Sequence, residues 1–222
     1  MAIKPILFNT EMVRAILDGR KTCTRRLMKP QPQSKSCYTF AGRGTGTWGY
    51  PCKTVHEIWG EEYKLPDNIA KDELNKRWNP PYHTDDILYV RETWHKYTKR
   101  IGEGESCRLA EFYGYKASVA NSEDAEEPWK PSIHMPKEAA RIWLKVTYVH
   151  VERLQDITSE QIGREGVEVE YPHVLNEEEK RYAFSTLWNS TIKKADLDCY
   201  GWDANPWVWV IEFEQCEKPE GV

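Results

Sequence analysis

The segment Gly19–Arg26, with the sequence GRKTCTRR, carries the densest positive charge of this 222-residue chain. Between Arg14 and Pro30 there are six basic side chains and one acid, whereas the whole chain has a formal net charge of −4. A cluster of positively charged side chains on a mildly acidic protein attracts phosphate groups to that part of the surface. Two threonines and a cysteine follow Lys21, and such groups can act as nucleophiles. The segment therefore predicts a binding surface, a catalytic site or both.

A short amphipathic helix is predicted just before this segment. Asn9 or Thr10 can cap its N-terminus, and Gly19 is typical of the position just after a helix. Its apolar residues recur at the spacing of one helical face. They are Met12, Val13, Ile16 and Leu17. The basic segment is therefore expected to begin where this helix ends.

The rest of the chain predicts several strands and a few helices that do not alternate. The strands are expected at Ile87–Arg91, Glu111–Lys116, Ile142–Val151 and Trp207–Phe213. Thr158 and Gln161 form a capping-box pattern for a helix that ends near Gly166, and a third helix follows Asn176. Its apolar stripe consists of Ala183, Phe184, Leu187 and Trp188. This arrangement favours an α+β fold around a small barrel over a doubly wound sheet.

Composition predicts one soluble domain over residues 1–222, with a long irregular insertion at about 30–85 and a second insertion at about 97–128. No apolar run approaches the roughly 20 residues of a membrane helix, and no signal peptide is expected at the N-terminus. The six cysteines lack the spacing of a disulfide framework, which favours a reducing cytoplasm. Ten tryptophans and twelve tyrosines exceed the needs of a core, and such aromatics can stack on bases.

Six short fragments of the sequence, taken in order, resemble one known family. They are Lys4–Asn9 (KPILFN), Gly19–Arg26, Leu88–Trp94 (LYVRETW), Pro131–Pro136 (PSIHMP), Val151–Ile157 (VERLQDI) and Trp202–Trp209 (WDANPWVW). The pattern Gly19-x-Lys21-x4-Arg26 matches the signature of the ASCH domain, a PUA-like β-barrel family associated with RNA. The longer pattern is similar to the form that bacteriophages and prophages carry. The resemblance implies a PUA-like small β-barrel with flanking helices, located in the cytoplasm, or in the host cytoplasm if a phage encodes it.

The resemblance implies three activities. The family was first proposed to bind RNA, and some small members are amidohydrolases that remove the acyl group of N4-acetylcytidine through a lysine, a threonine and a glutamate. By motif position these residues correspond to Lys21, Thr24 and Glu165. A ribonuclease activity on single-stranded RNA is also known in the family. A non-catalytic module that binds RNA or a host protein is the alternative to an enzyme.

The physical chemistry of the catalytic hypothesis sets two conditions. A threonine hydroxyl needs a base, and Lys21 can be that base only if its positively charged neighbours favour its neutral form. In a plain strand Lys21 and Thr24 would point to opposite faces, so the segment must turn or coil near Thr22 and Cys23. Otherwise the segment is a solvated basic edge on which Lys21 pairs with a structural glutamate.

Further residues are candidates for contacts with RNA or with a nucleoside. From the basic segment they are Arg20, Arg25 and Arg26; from elsewhere they are Arg91, Glu92, Trp94 and His134. Glu92 is a second candidate for the site carboxylate, although a cross-strand salt bridge is the alternative for it. Trp48, Trp94 and Trp129 are candidates for base stacking. His134 stands in a proline-bounded loop, where a structural hydrogen bond is the more usual role.

No metal and no cofactor is predicted from the sequence. Cys37, Cys52 and His56 include a Cys-x3-His pair, but a fourth ligand at useful spacing is missing. The glycines of Gly42–Gly46 lie in the irregular insertion and do not follow a predicted strand, so they do not form a phosphate-binding loop signature. The partners that the resemblance implies are RNA or a modified nucleoside, with a host protein as the alternative, and no membrane is expected.

Overall fold

The computed structural model describes residues 1–29, 31, 80–103, 107–119, 128–167 and 177–221. The predictions for Trp48, for Cys37, Cys52 and His56, for Gly42–Gly46 and for most of the first insertion lie outside these residues. The described chain is α+β, as the sequence predicts. Its strands are β1 (Ile3–Leu7), β2 (Cys23–Leu27), β3 (Ile87–Arg91), β4 (Trp94–Ile101), β5 (Arg108–Tyr115), β6 (Trp143–Arg153) and β7 (Trp207–Cys216). Its α-helices are α1 (Thr10–Leu17), α2 (Ser159–Arg164), α3 (Glu177–Thr191) and α4 (Leu197–Tyr200).

The main sheet has five strands in the order β1-β3-β6-β7-β2. β1 and β3 are parallel and the other neighbours are antiparallel, with a register shift in β6 between Val146 and Tyr148. Within the described residues the sheet does not close into a barrel, because β1 and β2 remain its two edges. The side chain of Arg26 in β2 nevertheless reaches the other edge, where its Nη2 donates to the Leu7 carbonyl at 3.1 Å.

Two apolar cores cover the two sides of the main sheet. The first core lies against α1 and includes Ile6, Phe8, Val13, Ile16, Leu88, Leu144, Val146, Trp209, Ile211 and Phe213. The second core joins β7 to α2 and α3 and includes Leu154, Ile157, Ile162, Phe184, Trp188, Val208 and Val210. β7 supplies both cores because alternate residues of a strand point to opposite faces. The edge strand β2 pairs with β7 and therefore lies beside both cores.

β4 and β5 form a separate two-stranded sheet, the hairpin, which joins the body through a third core. That core consists of Ile87, Trp94, Met135, Ala139, Ala140 and Trp143, with Tyr113 and Tyr115 packed against it. Residues 97–101 and 108–115 of the hairpin belong to the segment predicted as the second insertion. The structure thus gives part of this segment a regular conformation.

Several local predictions are confirmed. Asn9 caps α1 by accepting a hydrogen bond from the Met12 amide at 2.8 Å, and the helix ends before Gly19. Thr158 and Gln161 form both hydrogen bonds of the capping box that opens α2. The strands at Ile87–Arg91 and after Trp207 are present, whereas β5 begins three residues before the predicted start at Glu111. No helix in the described part of the chain is long and apolar enough to cross a membrane.

Candidate functional site

Lys21 lies in the short connection between α1 and β2. Its amide donates to the Ala15 carbonyl of α1 at 2.9 Å, and the Thr22 amide donates to the Arg164 carbonyl of α2 at 2.9 Å. β2 begins only at Cys23. Lys21 is therefore held by the ends of two helices and does not follow the alternation of the strand. The segment coils before Cys23, which is the geometric one of the two conditions that the catalytic hypothesis sets.

The Lys21 ammonium is buried and fully hydrogen-bonded. Its Nζ donates to Glu165 Oε2 at 2.8 Å, to the Glu165 carbonyl at 2.7 Å and to the Cys23 carbonyl at 2.8 Å. The exposed fractions of the Lys21 and Glu165 side chains are 1% and 7%. An ammonium group has three protons, so these three oxygens use all of them. Lys21 is thus held in a fixed position and bound to Glu165, the carboxylate that the resemblance implies for it.

Gly166 allows this close approach of α2 to Lys21. It follows the capping residue Glu165 with a φ of +79°, a conformation that favours glycine. A Cβ atom at this position would lie 2.7 Å from the Ala15 Cβ and 2.9 Å from the Lys21 Cβ. Any larger residue would therefore separate α2 from Lys21 and draw Glu165 away from the ammonium.

Arg25 binds the other oxygen of the same carboxylate. Its Nη1 is 3.0 Å from Glu165 Oε1, while its Nε donates to Glu152 Oε1 at 2.9 Å and its Nη2 also contacts Glu152. Nη2 further donates to Gln161 Oε1 at 3.2 Å. Burial would lower the pKa of Arg25, but Glu165 and Glu152 outweigh it and raise this pKa. The guanidinium therefore stays charged and holds the Glu165 carboxylate in one orientation.

Glu152 connects this group of charges to His150 on β6. His150 Nε2 is 3.2 Å from Glu152 Oε2. Burial would raise the pKa of Glu152, but the hydrogen bond with His150 and the Arg25 guanidinium outweigh it and hold this pKa below its ordinary value. We call the row of alternating groups Lys21, Glu165, Arg25 and Glu152 the charge network.

Thr24 lies on β2 and its side chain is held by Arg26. Its buried hydroxyl accepts a hydrogen bond from Arg26 Nη1 at 2.7 Å. Since the hydroxyl oxygen accepts, its own proton remains for a second partner. The Arg26 guanidinium and the Lys21 ammonium also lie 5.3 Å and 5.5 Å from the centre of the Phe8 ring. Arg26 thus holds the Thr24 hydroxyl, and Arg26 and Lys21 both lie near the Phe8 ring.

A cavity of about 520 Å³ opens against these residues. Its polar wall contains Lys21, Thr24, Arg25, Arg26 and Glu165. Its apolar wall is formed mainly by the start of α1 and by α3, and includes Phe8, Met12, Phe184, Leu187, Trp188 and Ile192. Small-molecule pockets of proteins span about 300–1,000 Å³ and combine an apolar lining with a few polar groups. The cavity beside the edge strand β2 has these properties.

The basic segment is folded inward and does not form a solvated edge. The charges of Lys21 and Arg25 are neutralised by buried carboxylates, and exposed Arg20 pairs with Asp18 at 3.0 Å. Burial, with the nearby Glu165 charge adding to it, raises the pKa of the Cys23 thiol to about 12. Cys23 is therefore a neutral thiol at physiological pH, and Thr24 is the better candidate for a nucleophile in this segment.

The structure places the remaining predicted residues outside this cavity. Glu92 binds Arg141 through both carboxylate oxygens, at 2.9 and 3.0 Å. Arg91 Nε donates to the Met135 carbonyl at 2.7 Å, and Trp94 belongs to the third core. His134 is exposed on a short 3-10 helix. None of these four lines the cavity, so any contact they make with a ligand would be at a different surface.

Sequence reasoning missed Glu152, Gln161 as a ligand of Arg25, and the apolar wall of the cavity. Glu152 stands in the quoted fragment Val151–Ile157, but nothing in its spacing shows that it faces Arg25. The apolar stripe of α3 is predicted from the sequence, but that three of its residues, Phe184, Leu187 and Trp188, line the cavity is seen only in the structure.

Comparison of the chain with protein-family models, with curated proteins and with solved structures finds no match. Among the described residues no group of three or more histidine, cysteine, aspartate or glutamate side chains could hold a metal ion. The described cysteines Cys23, Cys107, Cys199 and Cys216 are unpaired thiols.

Proposed function

We propose that this chain is a PUA-like protein of the ASCH type whose cavity binds a cytidine-like nucleoside and hydrolyses its N4-acyl amide. The observation that carries the proposal is that Lys21, Thr24 and Glu165 line one cavity, with Lys21 Nζ 2.8 Å from the Glu165 carboxylate. The three residues come from two distant parts of the sequence. The contact of Arg26 with Leu7, which links the two edges of the curled sheet, supports the PUA-like fold.

The proposed reaction begins with the Thr24 hydroxyl. Transfer of one proton from Lys21 to Glu165 along their hydrogen bond leaves a neutral amine. In the proposed reaction the amine then turns its lone pair from Glu165 to Thr24 and takes the proton of the hydroxyl. The Thr24 oxygen then attacks the acyl carbon, and the bond from this carbon to N4 breaks as the Lys21 ammonium gives N4 the proton that it took from Thr24. Cytidine leaves and the acyl group remains as a threonine ester. Water hydrolyses this ester, which releases the carboxylic acid and restores Thr24.

The cations beside Thr24 have a second role in this reaction. Arg26 already donates to the Thr24 oxygen, so its charge stabilises the negative charge that forms there. Arg25 contributes less to this, because four of its five N–H donors are used by Glu165, Glu152 and Gln161. It acts instead by orienting Glu165. The apolar wall accommodates the base and the acyl group, and a base lying there excludes water from the ion pair.

The buried state of these charges favours a small ligand over an extended RNA in this cavity. A phosphate-binding surface presents unpaired cations to solvent, as counterion release requires. Here the two carboxylates neutralise Lys21 and Arg25 internally. The polar wall is therefore better suited to a neutral amide than to a polyanion.

The test is the formation of cytidine from N4-acetylcytidine, followed by chromatography. We expect Lys21→Ala and Thr24→Ala to lower kcat/KM by about 100-fold or more, as losses of acid–base or nucleophilic groups do, and Thr24→Ser to retain part of the activity. Thr22→Ala is the matched control, because the Thr22 hydroxyl accepts from Arg164 Nε at 3.1 Å and does not line the cavity. It should stay within about threefold of the wild type.

Two results would overturn the enzyme proposal. One is a folded wild type that forms no cytidine; in that case binding of labelled single-stranded RNA with a steep salt dependence would support the non-catalytic alternative. The other is a Thr24→Ala variant that retains wild-type turnover, since the proposed acyl-threonine could not form in it.

A further inference from the structure

The cations that line the cavity outnumber the carboxylates that bind them. The described lining residues include four cations, which are Lys21, Arg25, Arg26 and Lys29. Two carboxylates, Glu165 in the wall and Glu152 outside it, bind Lys21 and Arg25. In the described part of the chain, Arg26 and Lys29 form no ion pair with a carboxylate. The cavity therefore has positive charge that the protein itself does not neutralise.

The two neighbouring arginines of β2 differ in this respect. Burial would lower the pKa of both, but at Arg25 the two carboxylates outweigh it and raise the pKa, whereas at Arg26 burial dominates and lowers the pKa. The Arg26 guanidinium donates to three uncharged oxygens, those of the Thr24 hydroxyl and of the Arg25 and Leu7 carbonyls. In the proposed reaction the negative charge that forms on the Thr24 oxygen balances Arg26. The charge of Lys29 then remains without a counterpart.

Lys29 lies where the cavity meets solvent. It follows the end of β2, it is exposed, and it lines the cavity. Its Nζ is 5.1 Å from the centre of the Tyr200 ring at the end of α4. The Tyr200 carbonyl accepts a hydrogen bond at 2.8 Å from Nε1 of Trp188, which lines the cavity from α3. A neutral ring attracts an ammonium group without neutralising it, so Lys29 is a positioned cation whose charge is available to a ligand.

The cavity is long enough to hold more than a base. α3 lines it from Phe184 to Ile192, and eight residues of α-helix rise about 12 Å. In cytidine, N4 and the ribose are attached to opposite sides of the pyrimidine ring. A cytidine whose N4-acyl amide lies at Thr24 therefore has its ribose, and any phosphate on the ribose, directed away from the threonine. Lys29 is the lining cation that is available to such a phosphate.

We propose that the cavity takes a cytidine nucleotide in preference to the free nucleoside, with the ribose phosphate bound by Lys29 at the mouth. The position of the base in this proposal rests on the proposed function. A phosphate monoester carries a charge of about −1.5 to −2 at pH 7, as in phosphoserine, and has three strong acceptor oxygens. One such group balances Lys29, and a nucleotide of this size leaves the internally neutralised polar wall to the amide.

The test is isothermal titration calorimetry of the full chain with cytidine, with cytidine 5′-monophosphate and with its 3′ isomer, at constant ionic strength. We expect the wild type to bind one of the monophosphates about 10-fold more tightly than cytidine, as one charge-assisted hydrogen bond allows. Lys29→Gln should reduce this preference to about twofold or less, because the more distant charges are screened. Lys29→Arg should keep it, since a guanidinium also binds phosphate.

Lys130→Gln is the matched control. Lys130 is exposed and its Nζ lies 5.1 Å from the centre of the Trp94 ring, so the substitution removes the same charge and the same kind of ring contact. Lys130 does not line the cavity, and this variant should keep the preference of the wild type.

Equal affinities of the wild type for cytidine and for both monophosphates would overturn the proposal. So would an equal loss of preference in Lys29→Gln and Lys130→Gln. Inorganic phosphate that binds as tightly as the monophosphates would assign Lys29 to a free anion instead. None of these ligands contains an acyl amide, so their binding is measured independently of turnover. A wild type that deacylates N4-acetylcytidine without preferring the monophosphates refutes the nucleotide alone, and Lys29-dependent binding without deacylation refutes the enzyme alone.

Discussion

Two buried glutamates, Glu165 beside the cavity and Glu92 at the base of the hairpin, were both candidates for the site carboxylate. Glu92 is bound by one arginine: Arg141 contacts both oxygens, donates to Ser118 at 2.7 Å and lies 4.1 Å from the centre of the Tyr115 ring. The two carboxylate oxygens of Glu165 bind two different cations, Lys21 and Arg25. Burial and ion pairing are thus common to both carboxylates.

The difference between them is the space around the pair. The Glu92 carboxylate is buried against the partly exposed Arg141, and neither residue lines the cavity, as expected of an ion pair that stabilises a fold. The Glu165 pair forms the wall of a cavity, and a hydroxyl group lies in the same wall. A buried ion pair therefore indicates a site only when a cavity and a second reactive group accompany it.

The largest effect is expected from replacing the two glutamates. Glu165→Gln leaves Lys21 and Arg25 buried without their shared carboxylate, so we expect a loss of about 3–5 kcal/mol of unfolding free energy and at least 100-fold lower cytidine formation. Glu92→Gln should cost less, about 1.5–3 kcal/mol, because Arg141 is 28% exposed and can be solvated. Its kcat/KM should stay near that of the wild type. Urea unfolding and cytidine release measure these quantities.

A folded Glu92→Gln chain that has lost turnover would break this comparison. So would a Glu165→Gln chain with full turnover. If Glu165→Gln does not fold, Glu165→Asp, which keeps the charge but shortens the side chain, provides the measurement of activity.

A smaller effect concerns Glu152 and depends on pH. Its pKa in the folded protein lies below the ordinary value of 4.5, so the group stabilises the fold fully above that pH and loses this contribution as the pH falls through the folded pKa. We expect Glu152→Gln to be less stable than the wild type by about 1–2 kcal/mol at pH 7, and the difference to shrink below pH 4.5. Urea unfolding at pH 7, 5 and 3.5 measures it. A difference that stays constant across this range would contradict the role of the Glu152 charge.

The smallest effect is expected at Cys23. Because its thiol is buried with a pKa of about 12, iodoacetamide at pH 8 should leave it unmodified in the native protein, while the exposed Cys107 and Cys199 react. Mass spectrometry of the digested protein identifies the alkylated positions. Rapid alkylation of native Cys23 would mean that the segment opens, and would weaken the case for Thr24 as the nucleophile.

The sequence predicts those parts of the fold that depend on local signals. The cap at Asn9, the capping box at Thr158 and the strand after Trp207 each have a signature within a few residues. The structure also places Lys21, Thr24 and Glu165 together, as the resemblance implies, while their chemical roles stay predictions. Lys21 and Thr24 line the same cavity because the end of α1 and the start of β2 are adjacent in the chain.

The parts of the fold and of the site that the sequence does not predict depend on contacts between distant segments of the chain. β4 carries polar residues on both faces, so its alternation is weak and only the second strand of the hairpin is predicted, at Glu111–Lys116. The sequence around Glu92 does not show whether its carboxylate faces a cavity or an arginine. The position of Arg141 decides between the two, and that position is a property of the folded chain. The sequence does not show whether the Arg25 side chain points to solvent or into the charge network. This depends on Glu152, which β6 places within hydrogen-bond distance of the guanidinium.

Gly166 has a consequence for finding other chains that share this cavity. Glu165 reaches Lys21 by the packing of one helix end against another, so the number of residues between the two carries no information, and the intervening chain can change length freely. What the packing does require is a glycine directly after the glutamate, at the end of a short capped helix. A Glu-Gly pair a few residues after a Thr-x-x-Gln box is therefore a better marker of this carboxylate than any fixed distance from the GRKTCTRR segment.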